Sequence, residues 1–282
     1  MSWAESNNII HRNQSGFRKH RSTQDNIFKI IESCKKGLQN NMICAIEGFD
    51  VEKAFDQSPH EEILKTLDDH KWPPKLGKWL KNFLNKRESY VEIEGVKSKT
   101  FKIRAGVPQG SPLSPLLFSI LINRIGNLLD EIGIEFALFA DDLVVWVIDN
   151  DLKRIQSKLQ LASDIIYNFF KSIKLKLNEK KCEYTVITNK RASIKLDIIV
   201  NNKLISYAEN PRVLGVYLDP KLNFKYHFNT IKKELVSKVN LLRILSNKSN
   251  RLNKAHLLTI YKSLILSKIQ YRCFHSWLHQ IK

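Results

Sequence analysis

The sequence predicts a fold of the α+β class, with a mixed body over residues 1–220 and a basic, helical region over residues 221–282. Within residues 1–220, segments with the apolar spacing of strands alternate with segments with the apolar spacing of helices. After residue 220 only the helical spacing occurs. No internal repeat and no Gly/Ser-rich linker divides the chain. With 282 residues, 43% of them hydrophobic, the chain can bury a substantial core.

Helices are predicted where apolar residues recur at three- and four-residue spacing. The first begins after a Ser/Thr cap, and Trp72-Pro73-Pro74 separates two short ones. The predicted helical segments are 22–38, two within 59–85, 114–129, 152–169, 228–242 and 254–270.

Strands are predicted where apolar and polar residues alternate or β-branched residues cluster. Besides the aspartate-containing segment, two of these segments contain a hairpin turn, one of them at Gly95. In IEFALFADDLVVWV two strands meet at a pair of aspartates. The predicted strand segments are 42–51, 89–104, 134–147, 183–188 and 194–205.

Composition limits the class of protein. No apolar run is long enough for a membrane span, and the polar first residues lack the core of a signal peptide, so we expect an intracellular protein without a membrane partner. The sequence does not distinguish nucleus from cytoplasm. The four cysteines form no CxxC pair, which disfavours a zinc site, and we expect reduced thiols.

The charge is strongly basic, with a formal net charge of +18 and a pI near 9.7. Residues 211–282 contain 14 Lys and Arg against 2 Asp and Glu. Such a region suits a polyanion, most simply a nucleic-acid backbone. A generally lysine-rich surface explains the same composition equally well.

Three segments carry candidate chemistry: Asp50 at the end of a predicted strand, the loop GVPQGSP beginning at residue 106, and Asp141-Asp142 at a predicted hairpin. Carboxylates from two strand ends can bind Mg²⁺, which prefers oxygen ligands and leaves positions for substrate phosphates. Each segment also has an ordinary explanation: a helix N-cap, a tight turn and a solvated turn. Their joint presence favours a catalytic site.

Six stretches, taken together, resemble reverse transcriptases of non-LTR retrotransposons of the Jockey-like kind. The resemblance implies a right-hand palm, in which an antiparallel sheet carries helices on one face, together with partial fingers and a helical thumb. The matching stretches are QSGFRKHRST (14–23), FDVEKAFD (49–56), GVPQGSPLSPLLF (106–118), FADD (139–142), LNEKKC (177–182) and RVLGVYLD (212–219).

The resemblance implies a reaction in which a primer 3′-hydroxyl attacks the α-phosphate of a dNTP. Asp50 and Asp141 would hold two Mg²⁺ ions, or Mn²⁺, with the main-chain carbonyl of Val51, and Asp142 would complete the acidic cluster. Lys181 would protonate the departing pyrophosphate, although an ordinary surface lysine is the alternative there.

The substrate contacts implied by the resemblance lie on other segments. Phe55 would select deoxynucleotides by excluding a 2′-hydroxyl, and Gln109 and Gly110 would line the nucleotide pocket. The implied partners are an RNA template, a DNA primer and dNTPs. Five further residues would contact primer or template: Gly215, Val216, Tyr217, Lys232 and Lys233.

The chain also departs from the family pattern. Relatives have a substantial fingers stretch before the QSGFRKHRST block, whereas this chain reaches that block by residue 14, so we expect incomplete fingers. In addition, Glu47-Gly48 replaces bulky apolar residues before Asp50. No endonuclease domain, Cys/His knuckle or RNase H is recognisable. We expect a fragment, for which the alternative function is an impaired relic that binds nucleic acid through its basic thumb.

Overall fold

The computed structural model describes residues 2–7, 9–85, 87–190, 194–247 and 252–272. The chain forms two compact units, Met1–Ala208 and Glu209–Lys282. The division predicted from sequence at residue 220, between fingers with palm and thumb, stays a prediction.

A five-stranded sheet forms the centre of the first unit, in the order β11-β8-β1-β7-β6. All neighbours are antiparallel except β11 and β8. This mixture of sheet and helices confirms the predicted α+β class. The strands are β1 (Ile43–Phe49), β6 (Glu135–Phe139), β7 (Asp142–Asp149), β8 (Glu183–Ile187) and β11 (Ser206–Tyr207).

Short strand pairs lie outside this sheet, and they confirm both predicted hairpins. One ribbon joins β2 to β5 and β3 to β4 across the turn at Gly95, and the other joins β9 to β10. The strands are β2 (Arg87–Ser89), β3 (Glu92–Ile93), β4 (Val96–Lys97), β5 (Phe101–Ile103), β9 (Ile199–Val200) and β10 (Lys203–Leu204).

The longer helices of the first unit follow the predicted segments, with one break, whereas the short helices Ser2–Ser6 and Ala54–Gln57 were not predicted. The 114–129 segment forms two helices that meet at Asn123, whose side-chain amide donates to the Ile9 carbonyl (2.5 Å) and accepts from the His11 N–H (2.6 Å). The helices are α1 (Ser2–Ser6), α2 (Thr23–Gln39), α3 (Ala54–Gln57), α4 (His60–Asp69), α5 (Pro74–Leu84), α6 (Ser114–Ile122), α7 (Arg124–Glu131) and α8 (Leu152–Ser172).

Helices cover both faces of the sheet, although we expected them on one face only. Strand side chains alternate between faces, so Glu47 and Cys44 of β1 point in opposite directions. Glu47 contacts Ser163 of α8, whereas Cys44 contacts Cys34 of α2. The helix α2 therefore adds a second layer to the predicted arrangement.

The sulfur atoms of Cys34 and Cys44 lie in direct contact, and our expectation of reduced thiols stays a prediction. Both residues are completely buried between α2 and β1. Cys182 is free and buried, and Cys273 lies outside the described residues.

The second unit contains a two-stranded hairpin and a series of helices. The predicted final helix is present, with a π-helical segment at Lys262–Leu266. Within the described ranges, no helix is both long and apolar enough to cross a membrane. The elements are β12 (Arg212–Val213), β13 (Val216–Tyr217), α9 (Lys225–Leu245), α10 (Lys254–Tyr261) and α11 (Ser267–Arg272).

Glu47 is an unusual residue for the centre of a sheet, with none of its surface exposed. Burial raises the pKa of its carboxyl to about 8. Ser163 Oγ lies 2.9 Å from both carboxyl oxygens and 2.8 Å from the Leu159 carbonyl oxygen. A protonated Glu47 satisfies this arrangement, because it donates to Ser163 while Ser163 donates to Leu159.

We predict that Glu47→Gln has a higher free energy of unfolding than wild type, and that this difference grows as the pH rises. The carboxyl is ionised in the unfolded chain above its ordinary pKa of 4.5 but stays protonated in the folded protein up to about pH 8. Wild-type stability therefore falls across this window, and the amide removes that loss. Denaturant unfolding should show a gain on the order of a few kcal/mol at pH 8 and little at pH 4. A gain independent of pH would contradict this account of Glu47.

Candidate active site

The aspartate pair lies at the tip of the β6–β7 hairpin. Phe139 pairs with Asp142, so Ala140 and Asp141 form a two-residue turn. The flanking Leu138 and Leu143 are buried. The turn is therefore held on packed strands, as the apolar sequence around it predicts.

Asp50 follows the last residue of β1. Phe49 pairs with Leu143 in the antiparallel register, and continuing that register places Asp50 beside Asp142. The sheet thus brings the predicted acidic residues from two distant segments to the same end.

The segment around Lys181 runs alongside Asp50. Asn178 donates its N–H to the Asp50 carbonyl (2.7 Å), and Val51 bridges Leu177. The Lys181 Nζ lies 3.6 Å from a carboxylate oxygen of Asp50. The side chain of Lys181 is largely exposed, so it is free to turn toward a ligand at this end of the sheet.

Burial and mutual repulsion raise the pKa values of the Asp141 and Asp142 carboxyls. Burial, followed by the charge of Asp50, raises the pKa of Asp141. Burial, followed by the charges of Asp141 and Asp50, raises the pKa of Asp142 to about 6. Asp142 nevertheless keeps exposed surface, so water screens part of this repulsion.

The donor chemistry suits a hard divalent cation, because all three side chains offer carboxylate oxygens that repel one another. A bound cation would relieve this repulsion. In the part of the chain that the structure describes, no three acidic, His or Cys side chains form a ready-made metal cluster. The residues fit a metal by donor type, and binding would require their carboxylates to draw together.

Phe55 lies on α3, five residues after Asp50 along the chain. It is half-buried, its ring lies 4.7 Å from that of Phe118, and the ring of Phe17 meets it edge-on at 6.1 Å. The main chain of Phe55 accepts a hydrogen bond from Val107 (2.8 Å). Aromatic packing therefore fixes the ring while leaving part of it accessible.

The loop predicted to line the nucleotide pocket lies beside α3. Gln109 donates from Nε2 to Asp56 (2.7 Å), and both Gln109 and Gly110 are exposed. Gly110 has a φ of 85°, a conformation that favours glycine. The structure thus brings Phe55, Gln109 and Gly110 into one neighbourhood.

The predicted primer-contacting residues lie in the second unit. Gly215 and Val216 belong to the β12–β13 hairpin, and Tyr217 packs edge-on against Tyr226 at the start of α9 (ring centroids 5.2 Å apart). Lys232 and Lys233 are exposed on α9. Their predicted roles stay predictions.

Sequence reasoning missed the part played by the QSGFR segment. It gave no role to Gln14, yet the Gln14 side chain contacts the main chain of Ala140 in the aspartate turn. Arg18, in the same segment, pairs with Glu5 and donates to two main-chain carbonyls. The available signal in the sequence was the glutamine of QSGFRKHRST, a stretch that matches the family. Its partner, Ala140, lies over a hundred residues away, so local patterns do not predict the contact.

The sequence of this chain matches a known protein family. The pattern of the family described as reverse transcriptase (RNA-dependent DNA polymerase) matches residues 1–218. The chain belongs to the reverse transcriptase family. This match confirms the resemblance found in the six sequence stretches.

Curated relatives come from mobile elements. The chain is 28% identical over 257 residues to an RNA-directed DNA polymerase from mobile element jockey of Drosophila melanogaster, covering 89% of this chain and 28% of the relative. It is 26% identical to the jockey protein of Drosophila funebris, covering 92% and 28%. The chain thus spans less than a third of these relatives.

Solved structures of similar fold include a telomerase. Apo telomerase from Candida tropicalis, truncated from its C-terminal domain, matches with a TM-score of 0.56 and 14% identity. The match covers 79% of this chain and 42% of the telomerase chain. At this identity the likeness shows the reverse transcriptase fold alone.

We predict that Asp142→Asn raises the melting temperature of the metal-free reverse transcriptase chain at pH 8, because it removes one of three neighbouring like charges. Saturating Mg²⁺ should raise the melting temperature of wild type more than that of the variant, since a ligand of the folded state stabilises it. Calorimetry measures both. Asp164→Asn, an exposed change on α8, is the matched control and should show the wild-type response to Mg²⁺. An Mg²⁺ response equal in all three proteins would contradict the prediction.

Proposed function

We propose that this chain is the RNA-directed DNA polymerase domain of a non-LTR retrotransposon, adding dNTPs to a primer 3′-hydroxyl. The observation that carries the proposal is the meeting of Asp50 with the Asp141-Asp142 turn at one end of the sheet. The reverse transcriptase match includes all three residues, and the jockey relatives are named as polymerases of this kind.

Two divalent ions are part of the proposal. Asp50 and Asp141, with the Val51 carbonyl, would hold Mg²⁺ or Mn²⁺, and Asp142 would complete the acidic cluster. When bound, such ions supply positive charge that stabilises the attacking and leaving oxygens of phosphoryl transfer. The mutual repulsion of the carboxylates supports this assignment, because it favours occupation by a cation.

The chain contributes position rather than a covalent nucleophile. The register of β1, β7 and β6 fixes the aspartates relative to one another, and this order would favour reaction by orienting a bound primer end. Lys181, close to Asp50 but largely exposed, would turn to the departing pyrophosphate and donate its proton. Gln109 and Gly110 would line the nascent base pair, where the exposed loop leaves room for it.

The polyanion partners in the proposal are an RNA template and a DNA primer. The excess of 14 basic over 2 acidic residues in 211–282 supports contact with phosphates there. Tyr217, with Gly215 and Val216, would contact the primer end, and Lys232 and Lys233 would contact the duplex backbone. The alternative of a relic that only binds nucleic acid is not favoured by the relatives, whose names describe polymerases.

We predict that Asp141→Asn abolishes Mg²⁺-dependent dNTP incorporation, with a loss of about a thousandfold or more, because it removes a metal ligand while conserving side-chain size. Primer extension on a primed RNA template measures the rate. Asp164→Asn on the exposed face of α8 is the matched control, and it should keep wild-type activity.

Two results of the primer-extension assay would contradict the proposal. Incorporation by Asp141→Asn at the wild-type rate would exclude the assigned role of this residue. A folded wild-type chain that binds Mg²⁺ and primed template but incorporates no dNTP would contradict the polymerase function.

We predict that Phe55→Val relaxes the choice of sugar. The half-buried ring of Phe55 would lie under the incoming sugar, and its removal gives space for a 2′-hydroxyl. The preference for dNTP over rNTP, measured as a ratio of kcat/KM values, should fall by about tenfold or more. Phe118→Leu loosens the packing against the Phe55 ring but keeps the ring itself, so it should change the ratio less. An unchanged ratio in Phe55→Val would exclude Phe55 as the selecting residue.

A further inference from the structure

The QSGFR segment runs beside the catalytic hairpin as an additional short strand. Gln14 forms a parallel bridge with Leu138 of β6. Leu138 donates its N–H to the Asn13 carbonyl (3.0 Å), and Ser15 donates its N–H to the Leu138 carbonyl (2.9 Å). These bonds bring the buried Gln14 side chain next to the aspartate turn.

The carboxamide of Gln14 forms hydrogen bonds with both the main-chain N–H and the main-chain carbonyl of Ala140. Its Oε1 accepts from the N–H of Ala140 (3.0 Å) and from the N–H of Gly16 (2.8 Å). Its Nε2 donates to the Ala140 carbonyl (3.3 Å). A primary amide carries the required acceptor and donor together, whereas a carboxylate lacks the donor and a hydrocarbon lacks both.

Ala140 needs such support because of its backbone conformation. Its φ is 56°, in the left-handed region, and it is the first residue of a two-residue hairpin turn, where glycine is usual. L-residues rarely adopt this region, because the Cβ atom then crowds the following carbonyl oxygen. Asp141 follows directly, so the backbone of Ala140 sets the direction in which the Asp141 carboxylate points.

The rest of the segment is built around this contact. A Cβ on Gly16 would lie 2.3 Å from the Ala140 nitrogen, so only glycine permits the close approach. Arg18 donates to the carbonyls of His11 (2.9 Å) and Gln14 (3.1 Å), which fixes the loop from its other side. The segment is therefore a rigid support for the turn.

We propose that Gln14 is a positioning residue of the polymerase site: its carboxamide holds Ala140 in the left-handed conformation and thereby aims the Asp141 carboxylate at the metal position. This inference rests on the proposed function for the use of the site. The hydrogen bonding of the turn itself does not depend on it.

The test compares substitutions within the same segment of the full chain. Gln14→Met keeps the length of the side chain and removes its hydrogen bonds. Ser15→Ala is the matched control, because Ser15 is equally buried and its hydroxyl donates to Asn26 (2.7 Å) rather than to the turn. Ala140→Gly, added to Gln14→Met, removes the backbone strain that the amide supports.

Two readouts are taken without any nucleotide: hydrogen exchange of the Ala140 amide by NMR, and Mn²⁺ affinity by calorimetry. Gln14→Met should speed exchange at Ala140 and weaken Mn²⁺ binding by about tenfold or more each, consistent with the loss of buried hydrogen bonds. Ser15→Ala should change both by less than about threefold. Ala140→Gly should restore most of the Mn²⁺ affinity of Gln14→Met.

Gln14→Glu provides an independent check, and it serves if Gln14→Met does not fold. At a pH where its carboxyl is ionised, this variant keeps the two acceptor contacts, loses the donor to the Ala140 carbonyl and adds a negative charge. Electrostatic attraction alone would strengthen Mn²⁺ binding, whereas loss of the positioning contact weakens it. The two explanations therefore predict opposite signs.

Unchanged exchange at Ala140 in Gln14→Met would overturn the proposal, as would an equal loss of Mn²⁺ affinity in Ser15→Ala. Stronger Mn²⁺ binding in Gln14→Glu would also overturn it. Failure of the proposed function gives a different result: a wild type that binds Mn²⁺ yet extends no primer. The exchange measurement still decides the role of Gln14 in that case.

Discussion

The structure depends on holding three like charges at one end of a sheet. Burial and repulsion raise the pKa values of Asp141 and Asp142, so the arrangement costs free energy without a cation. A flexible loop would relieve this cost by letting the carboxylates separate. The chain prevents that separation by placing them on β1 and on the β6–β7 hairpin, whose register leaves little freedom.

Layers on both faces of the sheet maintain this register. The helix α8 packs on one face, and Ser163 bonds to the protonated carboxyl of Glu47 there. The helix α2 packs on the other face, and its Asn26 donates to the Leu138 carbonyl of β6 (2.8 Å). The QSGFR segment then completes the turn itself through Gln14. Rigidity at the acidic end thus comes from packing and from hydrogen bonds between distant segments.

Local patterns predicted most of the elements but not their long-range contacts. The apolar flanks of Asp141 and Asp142 predicted the hairpin, and the alternation around Gly95 predicted the exposed ribbon. Periodicity gave no sign of the bond between Gln14 and Ala140, nor of the bond between Asn123 and Ile9, because each joins residues more than a hundred positions apart. The family resemblance supplied the candidate roles of Asp50, Phe55 and Lys181, which pattern alone left open.

The most direct measurement of the central claim is anomalous diffraction from crystals containing Mn²⁺, a primed RNA template and a non-reactive dNTP analogue. The account predicts Mn²⁺ between the carboxylates of Asp50 and Asp141, at oxygen-ligand distances of about 2.0–2.3 Å. Manganese bound elsewhere, with the nucleotide phosphates in place and both carboxylates free of metal, would contradict it.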